Sequence, residues 1–291
     1  MLQCQDGKIR TNLSARNWSG CYSRVMSTLL YLSIAALVGL LPVTIQSFRP
    51  QTERRMLFWC SLAVAVAGCA ALTIVTFSTG WRTGFAPALW ATITTTLVIF
   101  VPVSAFCREG HKLASGLVPY LIVLGILAVI WQNQPERPFL TSAPTIWVLL
   151  HIGFSLATYA VLTLAAIAGL SALIQELSLK TKRETILTAA FPTLSASEAL
   201  EARLLGYSAA ILVVGLLTGM TIHYLQTGSL FDISHKALLS ILTLVIVVVL
   251  LIARKVSGLR GQKAARLALL AYLMLTLAYP GVKFVTDILL V

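Results

Sequence analysis

The stretch TIWVLLHIGFSLATYAVLTLAAIAGLSALIQ, residues 145–175, runs without a single Asp, Glu, Lys or Arg. As a helix rising 1.5 Å per residue it would reach about 46 Å, more than the roughly 30 Å hydrocarbon core of a bilayer. Buried strands of soluble proteins are far shorter, so the run reads as a membrane-crossing helix. Working outward, similar blocks lie at about residues 26–45, 56–77, 86–106, 113–131, 204–225, 237–253 and 265–288. The expected fold is therefore all-α, a polytopic membrane protein of about eight transmembrane helices. The fifth and eighth blocks are long enough to tilt or to extend beyond the bilayer. In the eighth, Pro280 beside Gly281 predicts a kink, because a backbone amide is missing there.

Composition agrees with a lipid solvent. Of 291 residues 58% are apolar and 11% charged, more hydrocarbon than a soluble domain of this size can bury. A net charge of +12 would suggest nucleic acid as the partner of a soluble protein. Here the Lys and Arg fall in the gaps between apolar blocks, with no basic stripe and interleaved aromatics. The lipid bilayer, and no nucleic acid, is the expected partner.

The same charges set an orientation. Gaps one, three, five and seven carry 14 Lys and Arg, against 4 in the even gaps and the C-terminal end. By the positive-inside rule the odd gaps are cytoplasmic and both termini periplasmic. Residues 1–25 form a polar, basic tail with Lys8, Arg10, Arg16 and Arg24, whose charges oppose that orientation. A translation start at Met26 would remove the conflict, and N-terminal sequencing of the native protein would test it. The chain then divides into the tail, a four-helix half over residues 26–132 and a second four-helix half over residues 145–291.

Three histidines fall on the expected outer side. His151 lies about 8 Å below the outer end of the fifth block, His223 near the outer end of the sixth, and His235 opens the seventh. An ionisable residue in a span is costly unless paired or coordinated. Interhelical hydrogen bonding, a haem or other metal site, and proton relay all remain open on geometry alone. His111, beside Lys112 in a cytoplasmic gap, reads as solvated. Gly215, Gly219 and His223 share one face of the sixth helix, and Gly153 with Ala157 and Ala165 with Gly169 give the fifth similar small-residue faces for close helix contact.

Several chemistries find no support. Acidic residues are nearly absent from the blocks, with Asp232 and Asp287 near the outer ends, which disfavours a small-solute carrier built on midplane carboxylates. Cys4, Cys21, Cys60, Cys69 and Cys107 include no Cys-x-x-Cys pair for thiol exchange, and Cys60 and Cys69 read as small packing residues. No phosphate-binding glycine loop, zinc helix or nucleophile elbow is present. No enzymatic turnover is expected.

Three segments carry a resemblance: HIGFSLATY at 151–159, DISHKALLS at 232–240, and GLRGQKAA with AYPGVK between Gly258 and Lys283. With these, the second half of the chain resembles the cytochrome c assembly family of membrane haem-handling proteins, and looks most like its HemX-like and YpjD-like bacterial inner-membrane branch. The resemblance implies that His151 and His235 are axial ligands of haem iron, with weaker family support for His223. It further implies a porphyrin resting against Trp147, Phe154 and Phe231. The tryptophan-rich outer loop of the synthase and delivery members is replaced by the short, Trp-free gap from Gln226 to Ser234. Phe231 and Asp232 stand where larger members have Trp-Asp, and Pro280 replaces an aromatic residue. These departures imply an accessory, chaperone or regulator of haem supply, with other cytochrome c maturation proteins as partners. A small-solute transporter and a structural subunit of a membrane complex are the competing readings. The first four helices show no motif and read as a scaffold.

Overall fold

A computed structural model describes residues 15–48, 55–78, 84–132, 145–228 and 235–285. Among them there are helices and turns and no strand. In chain order the helices are α1 (Ala15–Ser47), α2 (Arg55–Ser78), α3 (Phe85–Phe106), α4 (Ala114–Ile130, entered through a 3-10 turn at Gly110–Leu113), α5 (Thr145–Thr181), the short α6 (Ile186–Ala190), α7 (Leu194–Thr227), α8 (His235–Val256), α9 (Gln262–Thr276) and the single turn α10 (Val282–Phe284). Among the described residues, eight helical segments are long and apolar enough to span a bilayer, which makes this a multi-pass membrane protein. Helices are the form such segments must take, because a helix satisfies its backbone polar groups internally where no water is available.

The helices form two four-membered rings. In the first, α1 packs on α2, α2 on α3, α3 on α4 and α4 back on α1. In the second, α5 packs on α7, α7 on α8, α8 on α9 and α9 back on α5. The rings meet where α3 lies against α5. Helix α5 is accordingly the most enclosed, with Tyr159, Leu164, Ala165 and Ala168 fully buried. Helix α8 is the opposite case. It buries only the stripe Thr243, Val247 and Leu250 and turns Val245, Val249 and Ile252 outward. Exposed aliphatic side chains of this kind are what a lipid-facing surface requires.

Polar contacts tie neighbouring helices. Thr94 donates to the Cys69 carbonyl at 3.0 Å, joining α3 to α2. At the same depth as each other, the phenols of Tyr120 on α4, Tyr159 on α5 and Tyr272 on α9 close a triangle. Tyr120 and Tyr159 are 2.9 Å apart, Tyr159 and Tyr272 3.0 Å, and Tyr272 donates to Tyr120. Each hydroxyl can give one proton and accept one, so the three satisfy each other without water. The triangle joins the two rings midway along the bundle.

Several boundaries differ from the sequence reading. Helix α1 starts at Ala15, so the later part of the basic tail continues the first helix, while residues 1–14 lie outside the described residues. Helix α7 starts ten residues before the expected Leu204, so Glu198 and Glu201 are helical. Around Pro280 the eighth span widens into a π turn over Leu277–Gly281, which absorbs the missing amide. Of the small-residue faces, Gly169 is closely approached by α7 and α9. Gly153 has open space beside it. His111 is half-buried in the 3-10 turn and engaged with a partner, so it is not simply solvated. Cys69 is fully buried, whereas Cys60 is exposed.

Candidate functional site

The second ring has two unlike ends. About 38 Å separates His151 and Glu176 along α5, and each marks one end. At the histidine end a cavity of about 140 Å3, open on one side, lies at the centre of the ring. All four sides contribute to it: His151, Ser155 and Tyr159 from α5, Gly215 and Leu216 from α7, Lys236 and Ser240 from α8, and Leu275 and Tyr279 from α9 and its π turn.

His151 is seated by helix α7. Its Nδ1 lies 3.1 Å from the Gly215 carbonyl oxygen and 3.2 Å from Thr218 Oγ1, while Thr218 itself donates to the same carbonyl at 2.8 Å. A carbonyl can only accept, so Nδ1 carries the proton, and in the neutral ring the lone pair then belongs to Nε2. That is the tautomer in which an imidazole ligates a metal while its other nitrogen is anchored to the protein. The two glycines make room for the ring. A Cβ on Gly219 would lie 3.0 Å from His151 Cε1, and one on Gly215 would lie 3.7 Å from Phe154 Cβ. The glycine face expected to admit a neighbouring backbone therefore receives the His151 imidazole and the Phe154 β-carbon.

Of the other expected site residues, His235 opens α8 as an exposed side chain, and its neighbour Lys236 lines the cavity in its place. His223 is half-buried one turn beyond Gly219 and is engaged with a partner. Trp147 sits one turn before His151, 37% exposed, and neither it nor Phe154 lines the cavity. Phe231 lies outside the described residues. Lys236, Tyr279 and Ser240 are lining residues that the sequence reading does not single out. The signal available for Lys236 is its place beside His235 in DISHKALLS.

The opposite end is tied by charged side chains. Arg254 on α8 reaches Glu201 on α7 at 2.5 Å and the Glu198 carbonyl at 3.3 Å. Glu201 is 1% exposed. The loop before α9 turns at Gly258 and Gly261, both in the left-handed region at φ +64° and +67°. Its amides bind carboxylates, Gly261 donating to Glu198 at 2.9 Å and Gln262 to Glu176 at 2.9 Å. A Cβ on Gly261 would come within 2.8 Å of Glu176 Oε2, so that position needs glycine for space as well as for backbone conformation. The segment GLRGQKAA thus serves as a joint between helices, far from the cavity. Glu201 precedes the apolar block read from the sequence, but the earlier start of α7 makes it a buried helical residue, and Arg254 supplies its counter-charge there. Among the described residues there is no group of three or more His, Cys, Asp or Glu that could hold a metal ion.

Comparison with known proteins extends the resemblance. The chain is 44% identical over 270 residues to an uncharacterised 28.8 kDa protein of Azospirillum brasilense, encoded in a nifR3-like 5′ region, a match that covers 91% of this chain and 100% of that one. No solved structure matches. The family model for cytochrome c assembly proteins matches residues 52–290, a span that takes in α2–α4 as well as the second ring, so the scaffold half that showed no motif is largely inside the match. With a match over most of its length, the chain belongs to the cytochrome c assembly protein family.

Proposed function

We propose that this protein binds haem in the cavity at the histidine end and acts as an accessory factor in cytochrome c assembly or tetrapyrrole handling, with no covalent turnover of its own. Family membership points to cytochrome c biogenesis. The observation that carries the finer reading is the seating of His151, whose Nδ1 is anchored to the Gly215 carbonyl so that Nε2 keeps its lone pair beside a largely apolar cavity. Neutral imidazole is an axial ligand of haem iron. His151 would be the ligand, with His235, at the start of α8, as the second. With the orientation expected from the gap charges, this end would face the periplasm from a bacterial inner membrane, where other cytochrome c maturation proteins could exchange haem with it. Bound haem would supply the iron centre, and the chain supplies the ligand, the apolar walls and the exclusion of water.

The bond from His151 to Gly215 also fits a structural subunit whose histidine only joins helices. Absorbance separates the two readings. Protein purified in detergent from haem-replete cells should show a Soret band that His151→Ala abolishes and His235→Ala shifts. A colourless protein that cannot be loaded with haemin would overturn the proposal.

A further inference from the structure

The haem reading leaves the charged residue of the cavity unexplained. Lys236 is the charged side chain among the cavity's lining residues, whose remaining members are aliphatic, hydroxylic, aromatic or imidazole. It is the second residue of α8 and is exposed, while Tyr159 and Ala278, further into the same cavity, are buried. The cavity is therefore graded, with an ammonium group at its mouth and apolar and phenolic groups at its floor. Ser240, one helical turn along from Lys236, also lines it.

That gradient selects an orientation. A rigid amphipathic ligand with an apolar body and carboxylates along one edge loses least solvation when the body enters and the carboxylates stay at the wet rim. Lysine suits that rim because its stem covers apolar surface while its ammonium group stays hydrated and donates to oxygen anions. Resting on the proposal that the ligand is haem, we infer that Lys236 binds the propionate edge, so that the site selects porphyrins with free carboxylates and fixes which edge faces water. His151 would hold the metal and Lys236 would set the tilt and the direction of approach. Lys236 is then a specificity residue, whose loss alters the choice of ligand while the imidazole remains seated.

The test compares haemin with its dimethyl ester, which keeps the iron and the ring but carries no negative propionates. Full-length wild type, Lys236→Ala and Lys236→Arg are purified in neutral detergent and titrated with each porphyrin, following the Soret band. A charge-assisted hydrogen bond corresponds to about a tenfold or greater effect on affinity. Wild type should therefore prefer haemin over the ester by about tenfold or more. Lys236→Ala should lose that preference by weakening haemin alone, and Lys236→Arg should keep most of it. Unchanged binding of the ester shows that the variant's site is intact. Equal affinity of wild type for haemin and ester, or haemin binding by Lys236→Ala at wild-type strength, would overturn the inference while leaving the His151 reading in place. A variant that loses copurified anionic phospholipid with no change toward haemin would assign Lys236 to a lipid phosphate and overturn it as well. Failure of wild type to take up either porphyrin would remove both readings together.

Discussion

The two ends of the second helical ring are built from the same four helices and solve opposite problems. At the carboxylate end three approaches are stitched: α8 to α7 through Arg254 and Glu201, and the α9 loop to α5 and to α7 through Glu176 and Glu198. Gln175 adds bonds to the carbonyls of Thr188 and Pro192, closing the loop between α5 and α7. At the histidine end the polar contact described between α5 and α7 is that of His151 with Gly215 and Thr218, and a cavity occupies the middle of the ring. One end holds the bundle, which frees the other to stay open for a ligand. A site that must admit and release a large planar molecule belongs at the end with fewer ties, since such regions are drawn from the less stable part of a fold.

If this division is right, stability should be concentrated at the carboxylate end. The largest expected effect is therefore from Arg254→Ala. Removing the guanidinium strands Glu201, a 1% exposed carboxylate, without its counter-charge. Breaking a buried pair in this way costs about 3–5 kcal/mol. Denaturation in detergent should show a loss of that order for Arg254→Ala, with much of it recovered by pairing Arg254→Met with Glu201→Leu, which removes both charges. His151→Ala, which deletes one interhelical contact, should lose much less. Equal losses from Arg254→Ala and His151→Ala would abolish the distinction between the ends.

Midway between them lies the tyrosine triangle, and it decides how far the rigid half reaches. Tyr159 both lines the cavity and belongs to the triangle. Tyr272→Phe removes two of the three contacts and leaves the bond between Tyr120 and Tyr159. Interhelical hydrogen bonds in membranes are worth about 0.6–2 kcal/mol, so a stability loss in that range is expected, with the Soret spectrum of haem-loaded protein unchanged. A shifted spectrum without a stability change would instead attach the phenols to the open end as part of the site.

How much of this was legible beforehand follows from what each residue looks like in isolation. Helix count and approximate span positions were legible because uncharged runs of span length have few alternatives in a chain this apolar. His151 stood out as an ionisable group within such a run. Its partners did not, since Gly215 and Thr218 lie more than sixty positions away and nothing in a single chain records the pairing. Glu201 was hidden by the rule that marked the loops: a charge beside an apolar block is read as the end of the block, yet two opposite charges on facing helices can both be buried. Arg254 was counted toward orientation for the same reason. The tyrosines were readable in part. A phenol buried mid-span needs a partner, and Tyr120, Tyr159 and Tyr272 each fall near the middle of a span. The segment GLRGQKAA was specific without being functional at the cavity, because two left-handed glycines and amides facing carboxylates constrain a joint as tightly as a ligand would.

The smallest effect tests the carboxylate end at its edge, outside the spans. Glu109, in the left-handed conformation between α3 and α4, accepts from the Thr193 amide at 2.9 Å at the start of α7 and pairs with Lys112 at 3.3 Å. Partial burial alone would raise its pKa, but the Thr193 amide and the Lys112 ammonium more than offset that and hold the carboxyl below the usual carboxylate range. A carboxyl whose pKa is lower folded than unfolded stabilises the fold at pH above its unfolded value, and that contribution disappears as pH falls through the folded value. The pair is partly solvated, so the contribution should stay under about 1 kcal/mol. Between neutral pH and about pH 3 the wild type should lose slightly more stability than Glu109→Gln, and the two curves should converge at the acid end. Curves that stay parallel throughout would mean that the bond across this turn adds nothing to the tied end of the ring, leaving the contrast between the ends to rest on Glu201 and the α9 joint alone.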